Sequence, residues 1–236
     1  MDMATSISEI VSNAMVYIDD VRLKEELALS PALFYRKMWL YVKNALPLLN
    51  RPPQLLGYLQ KNAVEPMYDS FEWESGNDAS LSNETKIETG KIGYEICSVV
   101  MRSGDGTEAT PYLEAVYDAE TGIVTIPQQD EPGIVFEMDF YKDGQFNDMT
   151  VTMKRLFGLA IAVVWDEHFE RNWLNLQPKI KDASFSTVNE ANFAEKSNER
   201  LMKNRQSYND ELRKYEQDCA YAKVVGGRRS AYPKFV

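Results

Sequence analysis

The chain has a single histidine, His168, among 236 residues, and two cysteines, Cys97 and Cys219. Acid–base and metal chemistry are built from several groups held together. The stretch around His168, Trp165-Asp-Glu-His-Phe-Glu170, does not supply them. Asp166, His168 and Glu170 are spaced by two, whereas neighbours on a helix face are three or four apart. His168 is therefore expected on a helix surface or at an interface. Two cysteines make no disulfide framework. Both are expected to be reduced, Cys97 in a strand and Cys219 near a helix end. The patterns Gly-x-Ser-x-Gly, Cys-x-x-Cys and His-Glu-x-x-His are missing, and Gly104 and Gly106 fit a hairpin better than a phosphate loop. Acids at Asp118, Glu120, Asp139 and Asp143 lack the spacing of a calcium loop and read as a solvated edge. The expectation is a protein that is not an enzyme, with no cofactor and no metal.

Long apolar runs are missing too. The longest, Leu156 to Trp165, has ten residues, and roughly twenty are needed to span a bilayer. It predicts a buried core helix and no membrane association. The opening residues, Met1-Asp-Met-Ala-Thr, lack a basic region followed by an apolar one, so no secretory leader is expected.

Whole segments lack charge of one sign. Residues 31–64 carry Arg36, Lys37, Lys43, Arg51 and Lys61 and no acid. Residues 65–150 carry nineteen acids against four bases, a net of −15. Residues 223–236 carry Lys223, Arg228, Arg229 and Lys234 and no acid. Removing those four bases from a chain of net −10 leaves −14 for residues 1–222. Such a body repels nucleic acid, whose binding needs concentrated Lys and Arg. Blocks of opposite sign suggest parts that meet different partners, or meet each other between copies.

What remains is hydrophobic patterning, and its period changes twice. Ile7, Ile10, Val11, Ala14, Met15 and Ile18 predict a short amphipathic helix over 4–18, and within 19–29, which has no clear pattern, Lys24-Glu25-Glu26 suggests a solvated turn. Ser30-Pro31 starts a second helix reaching about Asn44. Its stripe is Phe34, Met38, Tyr41 and Ala45, widened by Leu33, Trp39, Leu40 and Val42. A helix apolar nearly all round is buried by more than one neighbour. Another subunit and the chain's own core are equal candidates for the second neighbour. A short helix over 53–62 follows.

From Val64 to Phe146 the period is two. Strands are expected around Ile92–Ile96, Tyr112–Tyr117, Ile123–Ile126 and Ile134–Tyr141, with Met67–Glu74 at an edge. Ser103–Thr107 and Asp118–Gly122 read as turns, and 75–91 as loop. They make a small antiparallel sheet or sandwich. The period then returns to 3.6 for a core helix over 148–172, marked by Met149, Met153, Leu156, Ala160 and Val163. A long polar helix over 189–222 has a heptad seam of Ala194, Leu201, Tyr208 and Tyr215, with Asn198, Arg205, Leu212 and Cys219 between.

The expected fold class is α+β: a helical domain with an inserted small antiparallel β module, a long C-terminal helix and an extended basic tail. The segments are 1–63 for the N-terminal helices, 64–146 for the β module, 147–222 for the helices that complete the helical domain, and 223–236 for the tail arm. Arg228, Arg229, Tyr232, Lys234 and Phe235 are the candidate docking groups of that arm, aromatics seeking a groove and bases seeking acids. Phe34, Arg36, Lys37, Trp39 and Lys43 are the candidate subunit interface.

Three stretches carry a family likeness. They are Leu46-Pro-Leu-Leu-Asn50 leading to Glu65-Pro66-Met-Tyr68-Asp69, the block Tyr112-Leu-Glu-Ala-Val-Tyr117-Asp118 with Thr121-Gly122-Ile-Val and Phe136-Glu-Met-Asp-Phe140, and the immediate switch into a long helix. In this layout, over about residues 5–225, the chain resembles the head–tail adaptor (connector, or neck) proteins of tailed bacteriophages. The resemblance implies a virion structural protein assembled in the host cytoplasm. It implies a homo-oligomeric ring, by resemblance a dodecamer, that joins portal to tail or neck proteins. DNA would pass through the ring during ejection without specific binding. Another neck or tail-completion protein is the near alternative. A β-sandwich ligand-binding module, with Tyr94, Tyr112 and Tyr117 lining a groove, is the distant one.

Overall fold

The computed structural model describes residues 4–18, 20–76, 84–102, 109–127, 132–176 and 187–224, with side chains described except at 109, 170–194 and 222–224. In chain order the elements are β1 (Thr5–Ser6), α1 (Ile7–Ala14), α2 (Val21–Leu29), α3 (Pro31–Ala45), a 3-10 turn (Leu46–Leu49), α4 (Gln54–Gln60), β2 (Met67–Glu74), β3 (Glu84–Glu88), β4 (Glu95–Arg102), β5 (Ala109–Pro111), β6 (Val116–Asp118), β7 (Ile123–Pro127), β8 (Val135–Lys142), β9 (Gln145–Phe146), α5 (Val151–Leu176) and α6 (Thr187–Val224). The class is mixed α+β with antiparallel sheets. Two compact units are present. One comprises Met1–Val21, Lys37–Val64 and Gln145–Val236; the other comprises Arg22–Arg36 and Glu65–Gly144. The strand-bearing unit thus joins residues 65–144 to residues 22–36.

In the helical unit α5 is the centre. From Leu156 to Val163 every side chain that could face a neighbour is buried, and α1, α6 and the 3-10 turn all contact this helix. This is how a helix apolar on all sides becomes stable. Ser6 caps α1, its hydroxyl accepting from the Glu9 amide at 3.2 Å. Ile7, Ile10, Val11 and Ala14 are fully buried. Lys154 of α5 pairs with Glu9 at 2.7 Å. Strand β1 pairs with β9, and the Thr5 hydroxyl accepts from the Met149 amide at 3.0 Å.

Gly158 explains how closely α1 and α5 approach. A Cβ there would sit 3.1 Å from the Ala14 nitrogen and 3.2 Å from the Asn13 carbonyl oxygen. Glycine in a helix interior costs roughly 1 kcal/mol relative to alanine, so close backbone contact is what retains it. Gly158→Val is expected to lower stability by about 2 kcal/mol or more through overpacking, seen as a lower thermal midpoint in far-UV circular dichroism. An unchanged midpoint would show that α1 yields freely.

In the other unit, β2-β8-β4-β5 form a four-stranded sheet and β3-β7-β6 a three-stranded one, all antiparallel. Ile87, Val99, Val124, Ile126, Phe136, Met138 and Phe140 form one core drawn from both sheets. The result is a small sandwich. Gly122 turns β6 into β7 at φ +70°, where Gly is favoured.

Several expectations are corrected. Residues 112–117 are not one strand: β5 ends at Pro111 in the first sheet and β6 starts at Val116 in the second, so 112–115 cross between sheets. Ile92 lies outside any strand, because Gly93 takes φ +74° and turns the chain before β4. The expected loop 75–91 contains β3, and Lys24-Glu25-Glu26, expected as a turn, lies within α2, with Leu23 buried. Helix α3 is not buried all round. Phe34, Met38, Tyr41, Val42 and Ala45 face inward, while Leu33 and Leu40 are exposed at 42% and 55%.

Candidate functional site

The helical unit holds one buried charge cluster. Asp166, on the apolar helix α5, is fully buried. Its Oδ1 accepts from Arg200 Nε at 2.7 Å and its Oδ2 from Asn204 Nδ2 at 2.8 Å. Asn204 also reaches the Tyr17 carbonyl at 3.5 Å. Arg200 and Asn204 sit on α6, so this carboxylate ties α5 to α6 at a fixed register. Next to it, Arg205 pairs with Glu167 at 2.8 Å. Each carboxylate oxygen thus accepts from a donor on α6, and a buried charge held this way acts as a structural clamp.

His168 lies two residues beyond Asp166, on another side of α5. Its Nδ1 is 2.8 Å from the Tyr41 hydroxyl, and its ring meets Tyr41 edge-on at 5.5 Å. A groove of about 390 Å³ is lined by Leu40, Tyr41, Asn44, Leu48, Val164, Glu167 and His168. Apart from Glu167 and His168 its lining has no titratable group capable of acid–base work near neutral pH, and Glu167 is engaged by Arg205. Among the described residues, no three His, Cys, Asp or Glu side chains are placed to hold a metal, and no helix is long and apolar enough to cross a membrane.

The sandwich unit carries the acidic surface. Register places Tyr68, Ser70, Glu72 and Glu74 of β2 on the same sheet face as Tyr141, Asp139, Glu137 and Val135 of β8 and Glu95, Ser98, Val100 and Arg102 of β4. The opposite face supplies Phe71, Trp73, Phe136, Met138 and Phe140 to the core. At one end of the outer face, Tyr35 stacks on Tyr141 at 6.4 Å and Arg36 lies over the Tyr68 ring at 5.0 Å. The remainder is half-buried or exposed and rich in carboxylates. Arg102 pairs with Glu137 at 2.9 Å and Ser98 donates to Asp139 at 2.9 Å. Cys97 sits at a bulge of β4, and burial, more than the neighbouring Asp139, pushes its thiol up to about 11. On the core side of β2, Lys91 bonds Asp69 and holds that carboxyl below its ordinary range.

The sequence-derived interface residues part company. Phe34 is 2% exposed within its own chain, so it is spent in the fold and is withdrawn as a subunit contact. Trp39 packs against Phe146 at 6.3 Å. Arg36, Lys37 and Lys43 lie over the rings of Tyr68, Trp165 and Trp39 at 5.0, 6.0 and 5.7 Å. All three cations are exposed, and their heads remain accessible from solvent. Leu40, absent from the sequence-derived set, is exposed beside them; its place opposite the Phe34–Met38–Tyr41 stripe was the available signal. Tyr94, Tyr112 and Tyr117 pack against the sandwich core, Tyr112 on Phe136 at 5.2 Å and Tyr117 on Phe140 at 5.3 Å. Arg228, Arg229, Tyr232, Lys234 and Phe235 lie outside the described residues.

No family model, no curated protein and no solved structure matches this chain.

Proposed function

We propose that the chain is a virion structural protein, a ring-forming head–tail adaptor that joins portal to tail and forms part of the DNA conduit. The observation that carries this reading is the sorting of charge onto separate parts. Glu72, Glu74, Glu95, Glu137 and Asp139 lie on the outer face of a small sandwich, the accessible bases Arg36, Lys37 and Lys43 lie along α3, and four more bases lie in residues 223–236. The helical unit is assembled from chain segments on both sides of the sandwich, the arrangement of a β module inserted into a helical domain. An acidic surface repels phosphate and lets a genome slide past without being held. The buried clamp at Asp166 and the aromatic packing are those of a stiff building block. The resemblance in layout to phage neck proteins supports the same reading.

In this proposal copies meet through the α3 cations and through the basic C-terminal arm, and the arm's Arg228 and Arg229 pair with carboxylates of a neighbour. Native mass spectrometry of the purified chain is expected to show a closed ring. The double variant Arg228→Glu/Arg229→Glu is expected to shift the population toward monomer by about tenfold or more, since like-charge contacts replace opposite ones. A wild-type chain that stays monomeric at every concentration would end the ring reading; a variant ring as abundant as wild type would remove the arm from it.

A further inference from the structure

Strand β2 ends the four-stranded sheet. Its partner β8 lies on one side, and among the described residues no strand lies on the other. Peptide groups alternate along a strand. Ser75, which continues β2, exchanges backbone hydrogen bonds with Ile134 and Gly133 on the β8 side. The peptide groups of Tyr68, Ser70, Glu72 and Glu74 therefore face away from the sheet. The Ser70 amide accordingly turns to its neighbour's carboxylate, Asp69 Oδ1, at 2.9 Å. Unpaired among the described residues, this eight-residue edge is a template for an added strand.

The charge of β2 selects what can add. Met67–Glu74 carries Asp69, Glu72 and Glu74 and no base. Two β2 edges side by side would set carboxylates against carboxylates, which is destabilising. The added strand must be basic. The acid-free stretches of ten residues or more that carry at least two bases are 31–64, 149–165, 171–181, 200–209 and 223–236. The first is taken up by α3, the 3-10 turn and α4, the second by α5 and the fourth by α6, while the third lies in α5 as far as Leu176 and then has Pro178, which cannot donate to a ladder, beside its last two bases. We infer that the basic segment that follows α6, residues 225–236, of a second copy adds to the edge of β2 as a further strand. The choice of a second copy rests on the ring reading above. Side chains alternate across a strand, so of the consecutive Arg228 and Arg229 one would meet Glu72 and Glu74 on the outer face and the other would meet Asp69. Pro233 has no amide hydrogen, so pairing would run through Gly227–Tyr232 and stop there.

The test uses the full chain with Ser70→Cys and Ser230→Cys together, each single variant serving as control for Cys97 and Cys219. Mild oxidation is expected to give disulfide-linked dimers and larger multimers on non-reducing gels, at least about tenfold above either single variant, because pairing raises the local thiol concentration. Adding Glu72→Lys and Glu74→Lys is expected to return the yield to control level, and a synthetic peptide of residues 223–236 is expected to compete. Cross-links confined within one chain, or a yield no higher than the controls, would overturn the inference. Native mass spectrometry of the same sample separates the two ideas. A ring without cross-links sinks the added strand and leaves the adaptor reading standing. Cross-linked dimers without a ring do the reverse.

Discussion

Asp166→Ala is expected to destabilise the helical unit by about 3 kcal/mol, near the lower end of what breaking a buried ion pair costs. The carboxylate is fully buried and accepts from Arg200 and Asn204. Removing it leaves Asn204, 6% exposed, with its side-chain amide short of an acceptor. Arg200 loses its counter-charge, but its side chain is 27% exposed and water can partly replace what is lost. That exposure is why the lower end of the range applies. Urea denaturation followed by far-UV circular dichroism reads the change, since the helices dominate that signal. The triple variant Asp166→Leu/Arg200→Met/Asn204→Leu is expected to recover most of the loss, because replacing a whole buried polar set with apolar side chains is often close to neutral. If the triple variant is stable but α6 loses its unique packing, the cluster's role is to fix register. If Asp166→Ala has the wild-type midpoint, the clamp has no energetic weight.

That cluster also shows where sequence reasoning stopped. Leu201, Tyr208, Tyr215, Leu212 and Cys219 were readable as the buried face of α6 and are buried. Asn198 and Arg205 were placed between them and are exposed, while Asn204 is buried. A helical seam alternates steps of three and four, and apolar residues alone do not say which step comes first. Asp166 decides it, by requiring a donor at 204, and that partner is 38 residues away. In the sandwich, strict alternation made β8 and the turn at Gly122 readable. The crossing at 112–115 was not, since Tyr112 and Ala115 still contribute to the core while the chain passes from one sheet to the other. Alternation reports a buried face; it does not report which sheet owns it. The charge blocks were readable in full, but their surface was not. Only the register of β2, β8 and β4 puts Glu72, Glu74, Glu95, Glu137 and Asp139 on one face.

High pH is expected to destabilise both units through tyrosines. Burial pushes the Tyr208 hydroxyl up to about 12, against the partial opposing pull of Arg51, and the hydroxyl donates to the Leu48 carbonyl. Burial likewise raises Tyr68 to about 12. Tyr141 is raised further by burial and by its hydrogen bond to Asp143 at 2.8 Å. In each case the fold holds the proton more tightly than the unfolded chain does. The associated stability is fully present below about pH 10, the unfolded value, and is lost as pH rises through the folded one. For Tyr208, 7% exposed, the loss by pH 12 is about 2 kcal/mol. For Tyr68, which is only half-buried, screening by water leaves about 1 kcal/mol. Denaturation midpoints measured across this window are expected to fall steeply, and tyrosinate absorbance should develop in step with unfolding. Tyr208→Phe separates the causes. At neutral pH it loses the hydrogen bond to Leu48, about 1 kcal/mol. Above pH 10 its midpoint should fall less steeply than wild type, because the buried hydroxyl that resists ionisation is gone. Parallel slopes in the two proteins would show that Tyr208 ionises without opening the fold, and the alkaline loss would then belong to other groups.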